Sequence, residues 1–139
     1  MDILNEILAL RLPEARREVG NLALTDPECK ILNEFDNHFA VVTAALKQEP
    51  LQLVEPGVAI QALIKATRSA ERLSSMRPDS GGDEPQIAWI AATLEDFWDE
   101  VGCAVGISGK MQLALGLFTE EHPIMLLVEP FLTKWFLKN

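Results

Sequence analysis

The sequence contains no tyrosine, only two cysteines and only two histidines, and these shortages disfavour several kinds of protein. Cys29 and Cys103 lie too far apart for a CxxC metal or redox motif, and two cysteines do not make a small disulfide-linked secreted domain. Active sites usually gather several ionisable side chains in one cleft, and few candidates for that role are present. We therefore predict a cytoplasmic protein with free thiols that is not an enzyme and holds no cofactor or metal.

Basic residues and long apolar runs are also scarce. Lysine and arginine total 12 against 21 aspartates and glutamates, which gives a net charge of −9. Binding to phosphate backbones depends on basic side chains that release counterions, so we expect no direct nucleic-acid binding. The most apolar segment, residues 124–137, contains Glu129, Pro130 and Lys134, and a membrane span needs about 20 apolar residues. No membrane interaction is predicted.

The remaining composition is that of one globular domain. The chain has 139 residues, of which 48% are hydrophobic, and this length falls within the usual size of a single domain. A chain of this size buries enough surface to fold without disulfides or metals. We predict one helical domain over residues 1–139, with a flexible loop at residues 77–85, where the sequence reads RPDSGGDEP.

Apolar residues recur at the three- and four-residue spacing of amphipathic helices, and several such segments begin at recognisable caps. Thr25 and Glu28 form a capping box before the longest one. Pro13 is expected to end the first helix. The predicted helices cover residues 2–12, 13–20, 28–48, 56–76 and 84–105.

The segment after Lys110 fits two patterns. Leucines and methionine alternate over residues 111–118 as in a strand, yet the same residues also form a helical face. We predict an all-α bundle of five or six helices, with an α+β fold containing a late hairpin around residues 111–128 as the alternative. The last nine residues are rich in large apolar side chains, which must pack in the protein's own core or against another subunit: Phe131, Leu132, Trp135, Phe136 and Leu137.

Acidic residues are concentrated in one region. No lysine or arginine occurs between Pro78 and Gly109, and helical spacing places Asp96, Asp99 and Glu100 opposite the apolar stripe, with Trp89 on the same side. Acidic surfaces attract basic partners, and tryptophan is enriched at binding hot spots. We predict a partner-binding face made of Trp89, Glu95, Asp96, Asp99 and Glu100, the alternative being a solvated surface without a binding role.

A basic stripe follows the outer side of the helix at residues 56–76. It contains Gln61, Lys65, Arg68 and Arg72 at helical spacing. If this helix lies beside the acidic one, the two charges pair within the molecule; otherwise they can join two copies as a homodimer. Lys65, Arg68 and Arg72 are therefore a second candidate surface.

Three further patterns suggest chemistry and are weaker. Glu34 and His38 stand one helical turn apart and could supply two metal ligands, but a metal needs three or four. Residues 106–111 (GISGKM) resemble the end of a phosphate-binding loop, but the expected glycine and the Ser or Thr after lysine are replaced by Ala104 and Met111. Cys29 falls in the first turn of a helix, where a thiolate is favoured.

Two functions follow from these patterns. The leading one is a non-enzymatic interaction protein, acting as an adaptor, regulator, chaperone or inhibitor, that engages a basic protein surface. One version of it mimics nucleic-acid charge, as immunity-type inhibitors do. The alternative is a small metal- or ligand-binding helical enzyme that uses Glu34 and His38.

Overall fold

The computed structural model describes residues 2–47, 54–77, 87–106 and 125–138, and the described residues form helices only, with no strand. The all-α prediction is confirmed, and residues 125–128, which the alternative placed in the late hairpin, belong to a helix. The predicted loop, except Arg77, and residues 111–124 lie outside the described residues. The elements are α1 (Ile3–Glu6), a π-helical turn (Ile7–Arg11), α2 (Leu12–Gly20), α3 (Asp26–Lys47), α4 (Pro56–Ser74), α5 (Trp89–Ala104) and α6 (Met125–Lys138).

The predicted break at Pro13 is wrong, because α1, the π-helical turn and α2 form one continuous helical rod. Proline lacks an N–H and crowds the carbonyl four residues earlier, so it normally ends an α-helix. Immediately before it, the N–H of Leu12 donates to the carbonyl of Ile7, five residues back, and this wider turn leads the chain into Pro13 without interruption. Leu4, Leu8 and Val19 are all buried, so both ends of the rod pack on the same core.

Helix α4 lies at the centre of the bundle and contacts α3, α5 and α6. The apolar residues at three- and four-residue spacing along this helix are buried: Ala59, Ile60, Leu63, Ala66, Ala70 and Leu73. Ala62, Ile64, Thr67 and Ser69 are buried as well, so this helix is enclosed on more than one side. Its many small side chains allow the neighbouring helices to approach closely.

The α3 and α4 helices are antiparallel, as an ion pair at one end of the pair shows. The Arg77 guanidinium, just after α4, binds the Glu28 carboxylate near the start of α3 through two hydrogen bonds of 2.6 and 2.7 Å. Glu28 also accepts a 2.8 Å hydrogen bond from the Thr25 N–H, and its own N–H donates to Thr25 Oγ1, which confirms the capping box. Arg77 Nη2 also donates a 2.6 Å hydrogen bond to the Ala23 carbonyl. This cluster fastens the α2–α3 connection to the end of α4.

The buried Glu28 carboxylate gives a testable pH dependence. Its hydrogen bond with Arg77 lowers the pKa of Glu28 from 4.5 to about 2, against the opposing effect of burial. A carboxyl group whose pKa is lowered by folding stabilises the protein above its unfolded pKa and loses that contribution as the pH falls to the folded value. We therefore expect the free energy of unfolding to decline between about pH 4.5 and about pH 2 more steeply in the native protein than in Glu28→Gln.

Urea melts of both proteins at several pH values measure this difference. Glu14→Gln is the matched control, because Glu14 is exposed and has no ion pair among the described residues. Parallel pH profiles for the native protein and Glu28→Gln would contradict the assignment of this ion pair.

Candidate protein-binding site

The outer side of α5 carries the predicted site, and its position is set by the packing of the opposite side. Ile90, Leu94 and Val101 are fully buried. The indole N–H of Trp98 donates a 3.0 Å hydrogen bond to Thr67 Oγ1, whose own O–H donates to the Leu63 carbonyl of α4. These contacts fix the rotation of α5 about its axis, because any turn of the helix would break the buried hydrogen bond.

With that rotation, the predicted residues come together on one surface, which we call the acidic face: Trp89, Glu95, Asp96, Asp99 and Glu100. Glu95, Asp96 and Glu100 are exposed, and Asp99 is half-buried. Trp89 begins the helix with 40% of its surface accessible. Ala92 and Cys103 are also exposed on this side of the helix, and the small side chain of Ala92 lies between the tryptophan and the first carboxylates.

One edge of the acidic face meets the N-terminal rod. Arg11, the last residue of the π-helical turn, binds Asp96 with Nη2 and Oδ2 2.6 Å apart. Their side chains are 44% and 53% exposed. An ion pair this open to solvent contributes at most about 1 kcal/mol. Arg11 therefore reduces the charge at this edge without covering the face.

The other edge meets α4 at Glu71. Burial raises the pKa of Glu71, the nearby Glu95 carboxylate raises it further, and Arg68 opposes both effects. Two carboxyl groups thus lie close together where α4 and α5 pack side by side, and they extend the acidic face onto α4. Because folding raises the pKa of Glu71, its ionisation at neutral pH opposes folding.

Asp99 sits within the acidic face with one unsatisfied oxygen. Its Oδ1 is buried and has no hydrogen-bond partner among the described residues. Leaving a buried acceptor without a donor usually costs about 1–3 kcal/mol. The position of this oxygen therefore opposes folding.

The basic stripe is divided between different contacts. Arg72 Nη1 lies 3.2 Å from Glu34 Oε2 of α3. The charge of Arg68 lowers the pKa of Glu71 in the same helix. Lys65 is exposed. The stripe therefore does not pair as a unit with the acidic face, even though α4 and α5 are in contact.

Glu34 and His38 lie on α3, where Glu34 is occupied by Arg72 and His38 is half-buried. The part of the chain that the structure describes contains no group of three or more His, Cys, Asp or Glu residues placed to hold a metal ion. In the GISGKM segment only Gly106 is described, and its φ of 79° marks it as the turn that follows α5.

Sequence reasoning missed Arg11 and Glu71 at the two edges of the acidic face. Both are distant from α5 along the chain, and no local pattern links them to it. The cysteines are free and exposed, Cys29 at the start of α3 and Cys103 on the acidic side of α5.

None of the described helices is both long enough and apolar enough to cross a lipid bilayer. Comparisons with protein-family models, with curated proteins and with solved structures find no match to the chain. The acidic face of α5 must therefore be interpreted from its own geometry and charge.

Proposed function

We propose that this protein is a non-enzymatic interaction module that binds a basic surface of another protein through the acidic face of α5. The observation that carries the proposal is that, of the four carboxylates on this face, only Asp96 has an ion pair among the described residues. Glu95 and Glu100 are exposed and place negative charge at the surface of α5. The role is that of an adaptor, regulator, chaperone or inhibitor in the cytoplasm.

The composition of the face supports a protein partner. An exposed tryptophan beside charged side chains provides apolar contact area together with electrostatic attraction, as binding hot spots do. Glu71 widens the negative surface toward α4.

A partner that normally binds DNA or RNA is one version of this proposal. A nucleic-acid-binding surface is basic, and a row of carboxylates on a rigid helix presents charges to it as phosphates do. In that version the protein competes with nucleic acid for the partner and acts as its inhibitor.

The experiment starts with capture of partners from cells of the source organism and identification by mass spectrometry. Binding is then measured with a protein in which Cys29→Ser leaves Cys103 as the one thiol, labelled with a fluorophore on the acidic side of α5. We expect Glu95→Lys, Asp96→Lys and Glu100→Lys together to abolish binding, because three reversals turn attraction into repulsion. The fold is expected to survive, since all three residues are exposed.

The matched control reverses three exposed glutamates elsewhere, Glu6, Glu14 and Glu55, which gives the same change in net charge. Binding by this control with near-native affinity, and no binding by the α5 variant, supports the acidic face. Unaltered affinity and salt dependence in the α5 variant would show that the face is only a solvated surface.

A further inference from the structure

Helix α6 has two apolar sides, and the core covers only one of them. The inner side buries Met125, Val128, Leu132, Trp135 and Phe136. On the opposite side Leu126 is 78%, Leu127 54% and Leu137 67% exposed. Single exposed leucines are ordinary, but three on one short helix indicate a contact surface.

The spacing on this outer side is that of a helix-pairing seam. Leu126, Pro130, Thr133 and Leu137 follow each other at intervals of four, three and four residues, as the d and a positions of two heptads do. Pro130 lies within the helix and is exposed, so its apolar ring belongs to the seam. We call these four residues together with Leu127 the outer face of α6.

The charges beside the outer face complement each other between copies. Glu129 and Lys134 flank it on opposite sides and are five residues apart, and neither has an ion pair within the described ranges. In a parallel pair of helices, a g residue meets the e residue five positions later on the other helix. Glu129 would therefore meet Lys134 of the partner subunit, and twofold symmetry would repeat the contact.

The charge balance also favours contact at this place. The chain as a whole carries −9, so two copies repel each other over most of their surface. Helix α6 carries Lys134 and Lys138 against the single acidic residue Glu129, and it is therefore locally positive. Two copies therefore repel each other less where α6 faces α6 than where their acidic faces meet.

We propose that the outer face of α6 binds the same face of a second copy in a parallel, twofold-symmetric pair. This inference does not depend on the proposed function, because the acidic face lies on α5. A 14-residue helix is about 21 Å long, and such a contact is smaller than the roughly 1,200 Å² of a stable specific interface. The dimer is therefore weak, with a dissociation constant on the order of 10–1,000 μM.

Sedimentation equilibrium from about 10 μM to about 1 mM protein, at low salt, tests the proposal against charge variants. We expect reversible dimer formation in the native chain and about tenfold weaker association in Glu129→Lys and in Lys134→Glu. The double variant with both changes restores the complementary pairs, so its association should return to within about twofold of the native value. Glu14→Lys and Lys30→Glu are matched reversals of exposed residues elsewhere and should alter association little.

Leu126→Asp tests the apolar seam and should abolish the dimer while the melting temperature of the monomer stays unchanged. A native chain that remains monomeric at 1 mM overturns the proposal, as does a double variant that fails to recover. A marked fall in the melting temperature of Leu126→Asp also overturns it, because the face would then be covered by the same chain. Association by the Leu126→Asp variant would place the dimer contact on another surface.

Discussion

Removal of residues 131–139 is expected to unfold the protein. The deletion takes away Leu132, Trp135 and Phe136, which are buried in the common core. Each large apolar side chain contributes roughly 1.5–3 kcal/mol when buried, and a domain is usually stable by only about 5–15 kcal/mol. The loss of three such side chains, roughly 4.5–9 kcal/mol, is therefore of the same size as the stability of a typical domain.

The aromatic contacts of α6 strengthen this expectation. The Trp135 ring packs edge-on against Phe97 of α5 with centroids 6.3 Å apart, and against Phe136 at 5.0 Å. The deletion would therefore also expose part of the surface of α5. Of the large C-terminal side chains predicted to pack in the core or against another subunit, the structure places Leu132, Trp135 and Phe136 in the protein's own core, whereas Phe131 is half-buried and Leu137 is exposed.

Far-UV circular dichroism and thermal melting measure the outcome. Deletion of residues 137–139 alone is the control, because Leu137 is 67% exposed and Trp135 and Phe136 remain. We expect that shorter deletion to keep a cooperative melt. An unchanged melting temperature after removal of residues 131–139 would mean that the helix contributes nothing to the core.

Leu94→Ala should lower the free energy of unfolding by roughly 2–5 kcal/mol, the usual range for a buried leucine. Leu94 is fully buried at the centre of α5, between Trp89 and Val101 along the helix. The cost combines lost apolar burial with the cavity left behind, since the helices around α5 cannot close it completely. The same substitution also tests which side of α5 faces inward. The acidic face is exposed only if the side that carries Leu94 is buried.

Leu10→Ala is the matched control, because Leu10 also lies in a helical segment but is 56% exposed. Denaturant melts of the two variants should differ by at least about 1.5 kcal/mol, given the cost of a buried cavity in one and its absence in the other. If Leu94→Ala lowered the free energy of unfolding by less than about 0.5 kcal/mol, the assignment of this side of α5 to the core would be wrong.

Local signals in the sequence were sufficient for most helices. The capping box of Thr25 and Glu28 and the helical spacing of the apolar residues in α4 are short-range patterns, and the structure contains both. The apolar stripe of α5 was equally clear, so the exposure of Asp96 and Glu100 followed from helical spacing, whereas Asp99, predicted to lie beside them, is half-buried. Patterns within one helix are readable because three- and four-residue spacing determines which side chains share a side.

The rod at the N-terminus shows where a local rule was insufficient. Pro13 disfavours an α-helix, and the prediction ended the helix there. Packing of the residues on both sides of the proline against α5 outweighs that preference, and the π-helical turn provides the required local geometry. No residue pattern in this segment distinguishes such a turn from a break.

Contacts between helices were the part that the sequence did not reveal. Arg11 binds Asp96 across 85 positions of the chain, and Arg72 binds Glu34 on α3 rather than a carboxylate of α5. Helical spacing shows which side of each helix is polar, but it does not show which helices become neighbours. For that reason the sequence alone could not predict which residues border the acidic face.

The hydrogen bond between Asp2 and Trp135 has a consequence for the order of folding. Asp2 caps α1 by accepting the Leu4 N–H, and its other oxygen accepts the Trp135 indole N–H at 2.6 Å. These two residues are 133 positions apart, so a ribosome makes Asp2 well before Trp135. The N-terminal rod must therefore leave the ribosome without this contact, and the completed bundle can form only after α6 has been synthesised.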